Sequence, residues 1–122
     1  MDILVVDDDA LMRDLLTEWL SDAGYRVRQA ATGADALRML RSRAARLLIS
    51  DMDMPGRDGV QTLSEARQLL PDLAMIAISG GPGASGRRSW VSAARESGAT
   101  RTLAKPFDRD VLLAAVEEVL PK

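Results

Sequence analysis

The chain contains no cysteine and no histidine. Without cysteine there is no disulfide framework, no zinc–thiolate site and no thiol nucleophile. Without histidine there is no imidazole base, and a Ser-His-Asp triad is excluded. Aromatic residues are scarce at 3%, so the core has to rest on Leu, Val, Ile, Ala and Met. No apolar run approaches the ~20 residues of a membrane-spanning helix. The N-terminus enters apolar sequence at Ile3 without the basic leader of a signal peptide. Nor is there a basic patch: 16 basic against 18 acidic residues leave a net charge of −2, which argues against direct nucleic-acid binding. These absences predict a soluble, cytoplasmic protein with neither nucleic acid nor membrane as a partner.

What is present is enough for one domain, 1–122, with a modest core. At 47% hydrophobic and 28% charged, the composition is that of a globular chain. Its organising stretch is Leu47–Gly59, LLISDMDMPGRDG. An apolar run stops at Ser50 and Asp51 and gives way to turn formers, which reads as a buried strand ending in a tight loop. Asp51 then stands at the carboxyl end of a central strand, where open α/β sheets place their ligands. There it is a candidate nucleophile for a phosphoryl group.

The remaining chain alternates between the two periods. Ile3–Val6 predicts a first strand, closed by Asp7, Asp8 and Asp9. Met12, Leu15, Leu16, Trp19, Leu20 and Ala23 recur at helical spacing up to a Gly24 cap. Tyr25–Ala30 reads as a second, more exposed edge strand. Thr32 and Asp35 resemble a capping box opening a helix with Ala36, Leu37 and Leu40. Val60, Leu63, Ala66 and Leu70 mark a third helix, stopped before Pro71. Leu73–Ile78 is a fourth strand, apolar throughout as expected when both faces are covered, with Ser79 at its end. A Gly-rich loop, Gly80–Gly86, leads to a helix carrying Trp90, Val91 and Ala94 and capped at Gly98. Arg101–Ala104 is a short fifth strand, and Asp108 caps a last helix with Leu112, Ala115, Val116, Val119 and Leu120. Five strands alternating with five helices imply a three-layer, doubly wound α/β fold with a parallel sheet. We adopt the flavodoxin-like order 2-1-3-4-5, which spacing alone does not prove.

In that order Asp7, Asp8, Asp51, Ser79 and Lys105 converge on one sheet edge. Each has an ordinary reading by itself: a helix cap, a turn aspartate, a structural hydroxyl, a surface lysine. Asp9 reads as a cap only. Together they carry chemistry. Three carboxylates against one ammonium leave the cluster near −2, and like charges so close need compensation. A hard divalent cation supplies it, and Mg²⁺ suits one or two carboxylates plus a phosphate. Lys105 is one of only two lysines, the other being the terminal Lys122. Standing before Pro106 at a strand end, it reads as a point charge for an anion.

VVDDD at 5–9, DMDMPGRDG at 51–59, Ser79 at a strand end and LAKPF at 103–107 closely resemble the bacterial response-regulator receiver domain, over essentially the whole chain. The resemblance implies a (βα)5 fold and Asp51 as phosphoacceptor, charged by a histidine kinase or a histidine phosphotransfer protein. It implies Asp8 as a direct Mg²⁺ ligand, Asp7 acting partly through water, and the Asp53 backbone carbonyl as a further ligand. Lys105 would pair with the phosphoryl oxygens, and Ser79 would move in to hydrogen-bond them. It also implies partner docking on the face of the fourth helix, fifth strand and fifth helix, by a monomer or a phosphorylation-dependent dimer.

Three positions depart from the commoner receiver pattern. Asp53 adds a carboxylate where a neutral or basic side chain is usual, and is expected to change metal affinity or aspartyl-phosphate lifetime. Thr102 stands where many receivers carry an aromatic that swings inward. The Gly80–Gly86 loop lengthens the interval from Ser79 to Lys105, and matches neither a P-loop nor GxGxxG. Arg87, Arg88 and Arg95 read as a solvated face.

Two rivals remain at this level. Asp51-Met52-Asp53 is formally a DxD, similar to the nucleophile motif of haloacid-dehalogenase-type phosphatases, but here the acidic pair precedes the nucleophile and the chain is short for that fold plus a cap. A pseudo-receiver, binding without phosphorylation, is opposed by the complete set of five site residues. The expectation is a module that undergoes its own phosphoryl transfer and slow autodephosphorylation, not an enzyme that turns over a substrate. Met1 directly before the first strand favours a natural N-terminus. The end at Pro121-Lys122 fits either a stand-alone receiver or a domain boundary.

Overall fold

The computed structural model describes residues 2–52, 59–79 and 87–120, the side chains of 87–90 excepted. Asp53, Pro55, the Gly80–Gly86 loop and the side chains of Arg87, Arg88 and Trp90 lie outside those residues.

Strands and helices alternate along the chain: β1 (Asp2–Val6), α1 (Ala10–Asp22), β2 (Arg26–Ala30), α2 (Gly33–Ser42), β3 (Leu47–Asp51), α3 (Gly59–Leu69), β4 (Ala74–Ser79), α4 (Arg87–Glu96), β5 (Arg101–Ala104) and α5 (Arg109–Val119). The five strands form one sheet in the order β2-β1-β3-β4-β5, every pair parallel. The order chosen from general topology is the one observed.

The sheet splits the core in two because strand side chains alternate between faces. Leu4, Val6, Leu48, Met75 and Ala77 pack with Ala36, Leu37 and Leu40 of α2, Leu63 and Ala66 of α3, and Ala94 of α4. Ile3, Val5, Leu47, Ile49, Ile76 and Ile78 pack with Leu16 and Leu20 of α1 and with Leu112, Ala115 and Val116 of α5. β3 is buried at every position, whereas β2 is exposed or half-buried over most of its length, as its edge place requires. Leu15, expected on the apolar stripe of α1, is 38% exposed. It lies one 100° step from Leu16, off the face that meets the sheet.

Element ends differ from the sequence expectation by a residue, for local reasons. α1 ends in a Schellman motif, with Gly24 N–H donating to Ser21 O (3.0 Å) and Tyr25 N–H to Leu20 O (3.1 Å). Gly24 takes φ +99°, and Tyr25 is consumed by the cap, so β2 starts at Arg26. α4 closes the same way: Gly98, at φ +119°, donates to Arg95 O (3.1 Å), and Ala99 donates to Ala94 O (2.9 Å). Leu73 N–H donates to Leu70 O (3.0 Å) in a turn, which delays β4 to Ala74. At its other end β4 includes Ser79, paired with Ala104. Thr32 Oγ1 accepts from Asp35 N–H (3.0 Å), but the Asp35 carboxylate pairs with Arg38 instead of reaching back. Only half of the capping box is built.

Candidate functional site

β1 and β3 are central and adjacent, with Val6 opposite Ser50. Their carboxyl ends therefore deliver Asp7, Asp8 and Asp51 side by side. Asp51 is the last residue of β3 and pairs with Ile78 of β4. The next peptide is held as well, Met52 N–H donating to Ile78 O at 2.7 Å. Asp51 is 4% exposed and Asp7 1%, whereas Asp8 stands in solvent. One carboxylate oxygen from each of the three lies within 4.8 Å of the others.

Asp7 is held from several directions. Its N–H donates to Ala30 O of β2 (3.2 Å), and its Oδ1 accepts from Asp9 N–H (2.9 Å). Asp9 accepts in turn from Leu11 N–H (3.0 Å) and caps α1, the cap role expected of it. Asp7 Oδ2 is buried and has no hydrogen-bond partner among the described residues. Lys105 Nζ is 3.7 Å away, an ion pair too long for a hydrogen bond. The same ammonium stands 3.8 Å from Asp51 Oδ2. Lys105 thus compensates both buried carboxylates at once and bonds neither tightly.

Lys105 is brought there by β5. Its N–H donates to Ser79 O at 2.9 Å, extending the β4–β5 ladder by one bond. The Lys105–Pro106 peptide is cis. Ser79 is fully buried, one residue beyond the partner of Asp51 on β4. Thr102 is half-buried on β5 opposite Ala77, with no aromatic side chain at that position. The structure thus brings Asp7, Asp8, Asp51 and Lys105 together and sets Ser79 against the Lys105 backbone. Asp53 lies outside the described residues.

The donor set at this edge consists of hard carboxylate oxygens, one of them buried and unbonded at Asp7 Oδ2. It fits a small oxygen-seeking cation and not a soft metal. Sequence reasoning passed over Arg13. Its guanidinium donates to the Asp7 carbonyl at 2.8 Å, and an arginine within the first turn of a helix that follows an acidic turn was the available signal.

The fold and the site define a flavodoxin-like module with an acidic, metal-compatible carboxyl edge. The chain belongs to the response regulator receiver domain family, whose model matches residues 3–117, and so to the modules of two-component signalling. It is 34% identical over 119 residues to sporulation initiation phosphotransferase F of Bacillus subtilis, covering 98% of this chain and 93% of that one. It is 35% identical over 118 residues to the transcriptional regulatory protein GlrR of Escherichia coli; that match covers 97% of this chain but only 26% of the relative. Among solved structures, the chemotaxis protein CheY4 of Vibrio cholerae superposes with a TM-score of 0.88 at 28% identity, with 98% of each chain covered. No helix among the described residues is long and apolar enough to cross a membrane.

Proposed function

We propose that Asp51 accepts a phosphoryl group from the phosphohistidine of a histidine kinase or histidine phosphotransfer protein, and that the phosphorylated state alters partner binding. The observation carrying this reading is the convergence of buried Asp51 with Asp7 and Asp8, within 4.8 Å, and with Lys105 at 3.8 Å. The Bacillus subtilis relative is named a phosphotransferase, which accords with it.

The Asp51 carboxylate attacks phosphorus. Its new O–P bond forms as the donor's N–P bond breaks, and the departing imidazole takes a proton from solvent. A carboxylate nucleophile has no proton to lose, so the chain's lack of a histidine base is no obstacle. Such transfers depend on positioning and charge neutralisation more than on covalent chemistry by the protein. Lys105 moves from its carboxylate partners to the incoming phosphoryl oxygens, and Ser79 donates a hydrogen bond to them. Asp7, Asp8 and Asp51 are the side chains that would hold Mg²⁺, with the Asp53 carbonyl as a family-implied further ligand. Bound there, the cation would supply positive charge to neutralise the phosphoryl oxygens. The product is a mixed anhydride open to water, which makes the module a timed switch that consumes one phosphoryl group per cycle. Its output partner is proposed to dock on the α4–β5–α5 face.

Incubation with acetyl phosphate and Mg²⁺, followed by intact mass spectrometry, tests the reading. One added phosphoryl group is expected in the wild type, and none in Asp51→Asn or in chelator. A wild type that never gains mass would sink it, and steady turnover of a phosphomonoester would favour the phosphatase instead.

A further inference from the structure

Behind the acidic turn lies a side-chain network that phosphoryl acceptance does not by itself require. Arg13, in the first turn of α1, donates through Nη1 to the Asp7 backbone carbonyl (2.8 Å) and through Nε to Gln29 Oε1 on β2 (3.1 Å). Gln29 Nε2 donates to Thr17 Oγ1 (2.9 Å), and the Thr17 hydroxyl donates to the carbonyl of Arg13 (2.7 Å). The bonds close on themselves around one turn of α1 and anchor it to the edge strand. Arg13, Thr17 and Gln29 are all half-buried.

The place of this network gives it a purpose. Asp7, Asp8 and Asp51 repel one another wherever no cation lies between them, and an outward swing of the β1–α1 turn would relieve that repulsion. The two peptide groups flanking the Asp7 Cα are each held against that, the N–H of one by Ala30 O and the C=O of the other by Arg13. The guanidinium binds a backbone carbonyl, so the Asp7 carboxylate keeps Oδ1 on the Asp9 N–H and Oδ2 towards Lys105. Its planar fork spans two acceptors at fixed spacing, which an ammonium cannot do.

We propose that Arg13, held by Gln29, is a positioning residue that preorganises the Asp7–Asp8 turn and so sets its affinity for a divalent cation. This rests on the reading that Asp7 and Asp8 hold that cation. The outer partners of metal ligands usually matter about tenfold or more in affinity, and a loss of that size is expected here.

The test is Mg²⁺ calorimetry on the wild type, Arg13→Met, Arg13→Lys, Gln29→Met and Asp8→Asn, with amide hydrogen exchange on the metal-free proteins. Arg13→Met and Gln29→Met should each bind Mg²⁺ about tenfold more weakly. Arg13→Lys should recover only part. The Asp9 amide, bonded to Asp7 Oδ1, should exchange faster in Arg13→Met while α5 amides keep their rates, a pattern that general destabilisation does not produce. If Asp8→Asn binds Mg²⁺ like the wild type, the carboxylate reading fails and this inference with it. If Asp8→Asn loses binding while folded Arg13→Met and Gln29→Met keep wild-type affinity, the Arg13 inference alone is overturned. Should Arg13→Met fail to fold, Gln29→Met, on the sheet edge, decides.

Discussion

Three aspartates within 4.8 Å are costly to hold together, and the residues around them show how the cost is met. Two like charges about 4 Å apart repel by ~1 kcal/mol in water and ~4 kcal/mol at the effective dielectric of a protein surface. Lys105 offsets part of this at 3.7 and 3.8 Å. Asp8, the exposed member, contributes repulsion without being needed for packing. Asp8→Asn is therefore expected to raise the melting midpoint in chelator by about 2 °C, a small figure because solvent screens the charge. Mg²⁺ is expected to raise the wild-type midpoint and Asp8→Asn to abolish that rise; thermal melts with and without Mg²⁺ check both. At this scale Asp51, Asp7, Asp8 and Lys105 were legible because each stands at or just beyond the carboxyl end of a strand, and together they outweigh the ordinary reading each has alone. Arg13 was not. In sequence it is a lone arginine on the first turn of an amphipathic helix, and only the approach of β2 reveals what it holds.

At the scale of elements, the site depends on how closely α3 approaches the end of β3. A Cβ built on Gly59, the first residue of α3, would lie 2.6 Å from Met52 Cα, 2.7 Å from Met52 Sδ and 3.1 Å from Met52 O. A sulfur at the end of a side chain can move, but the Cα and carbonyl cannot move without shifting the peptide that follows Asp51. Gly59→Ala is therefore expected to cost about 1–3 kcal/mol, the usual range for overpacking. It should also slow phosphorylation of Asp51 by acetyl phosphate. Urea unfolding and labelling rates test the two effects separately, and a loss of stability with an unchanged labelling rate would refute the link between Gly59 and the acceptor. Helices and strands were legible from their periods and caps, and their ends were less so. Whether Tyr25 begins β2 or completes the cap of α1 depends on hydrogen bonds that hydrophobic pattern does not encode.

For the molecule as a whole, the two-sided burial of the central strands determines which part opens last. β1 and β3 lie between two core clusters, whereas β2 and β5 are edges with half-buried and exposed positions. Native-state hydrogen exchange should find the slowest amides in β1 and β3, tracking global unfolding, and faster exchange in β2 and β5. Equal protection across the sheet would contradict this. The same layout places the site: Asp51 ends the fully buried β3 and Asp7 directly follows the buried β1, while exposed Asp8 and partly exposed Lys105 stand at the rim.

The sequence by itself determined the class of fold, because strand and helix periods alternate five times without interruption. It also determined the identity of the acidic and basic residues at the strand ends. Tertiary structure alone decided that these residues meet. The order β2-β1-β3-β4-β5 places β3 between β1 and β4, and no local pattern carries that information, since parallel strands are paired through distant contacts. It also decided the distances at which Lys105 faces two carboxylates, and the grip of Arg13 on Asp7 across to β2. Those are non-local geometries, set by how the layers pack and not by which residues follow one another.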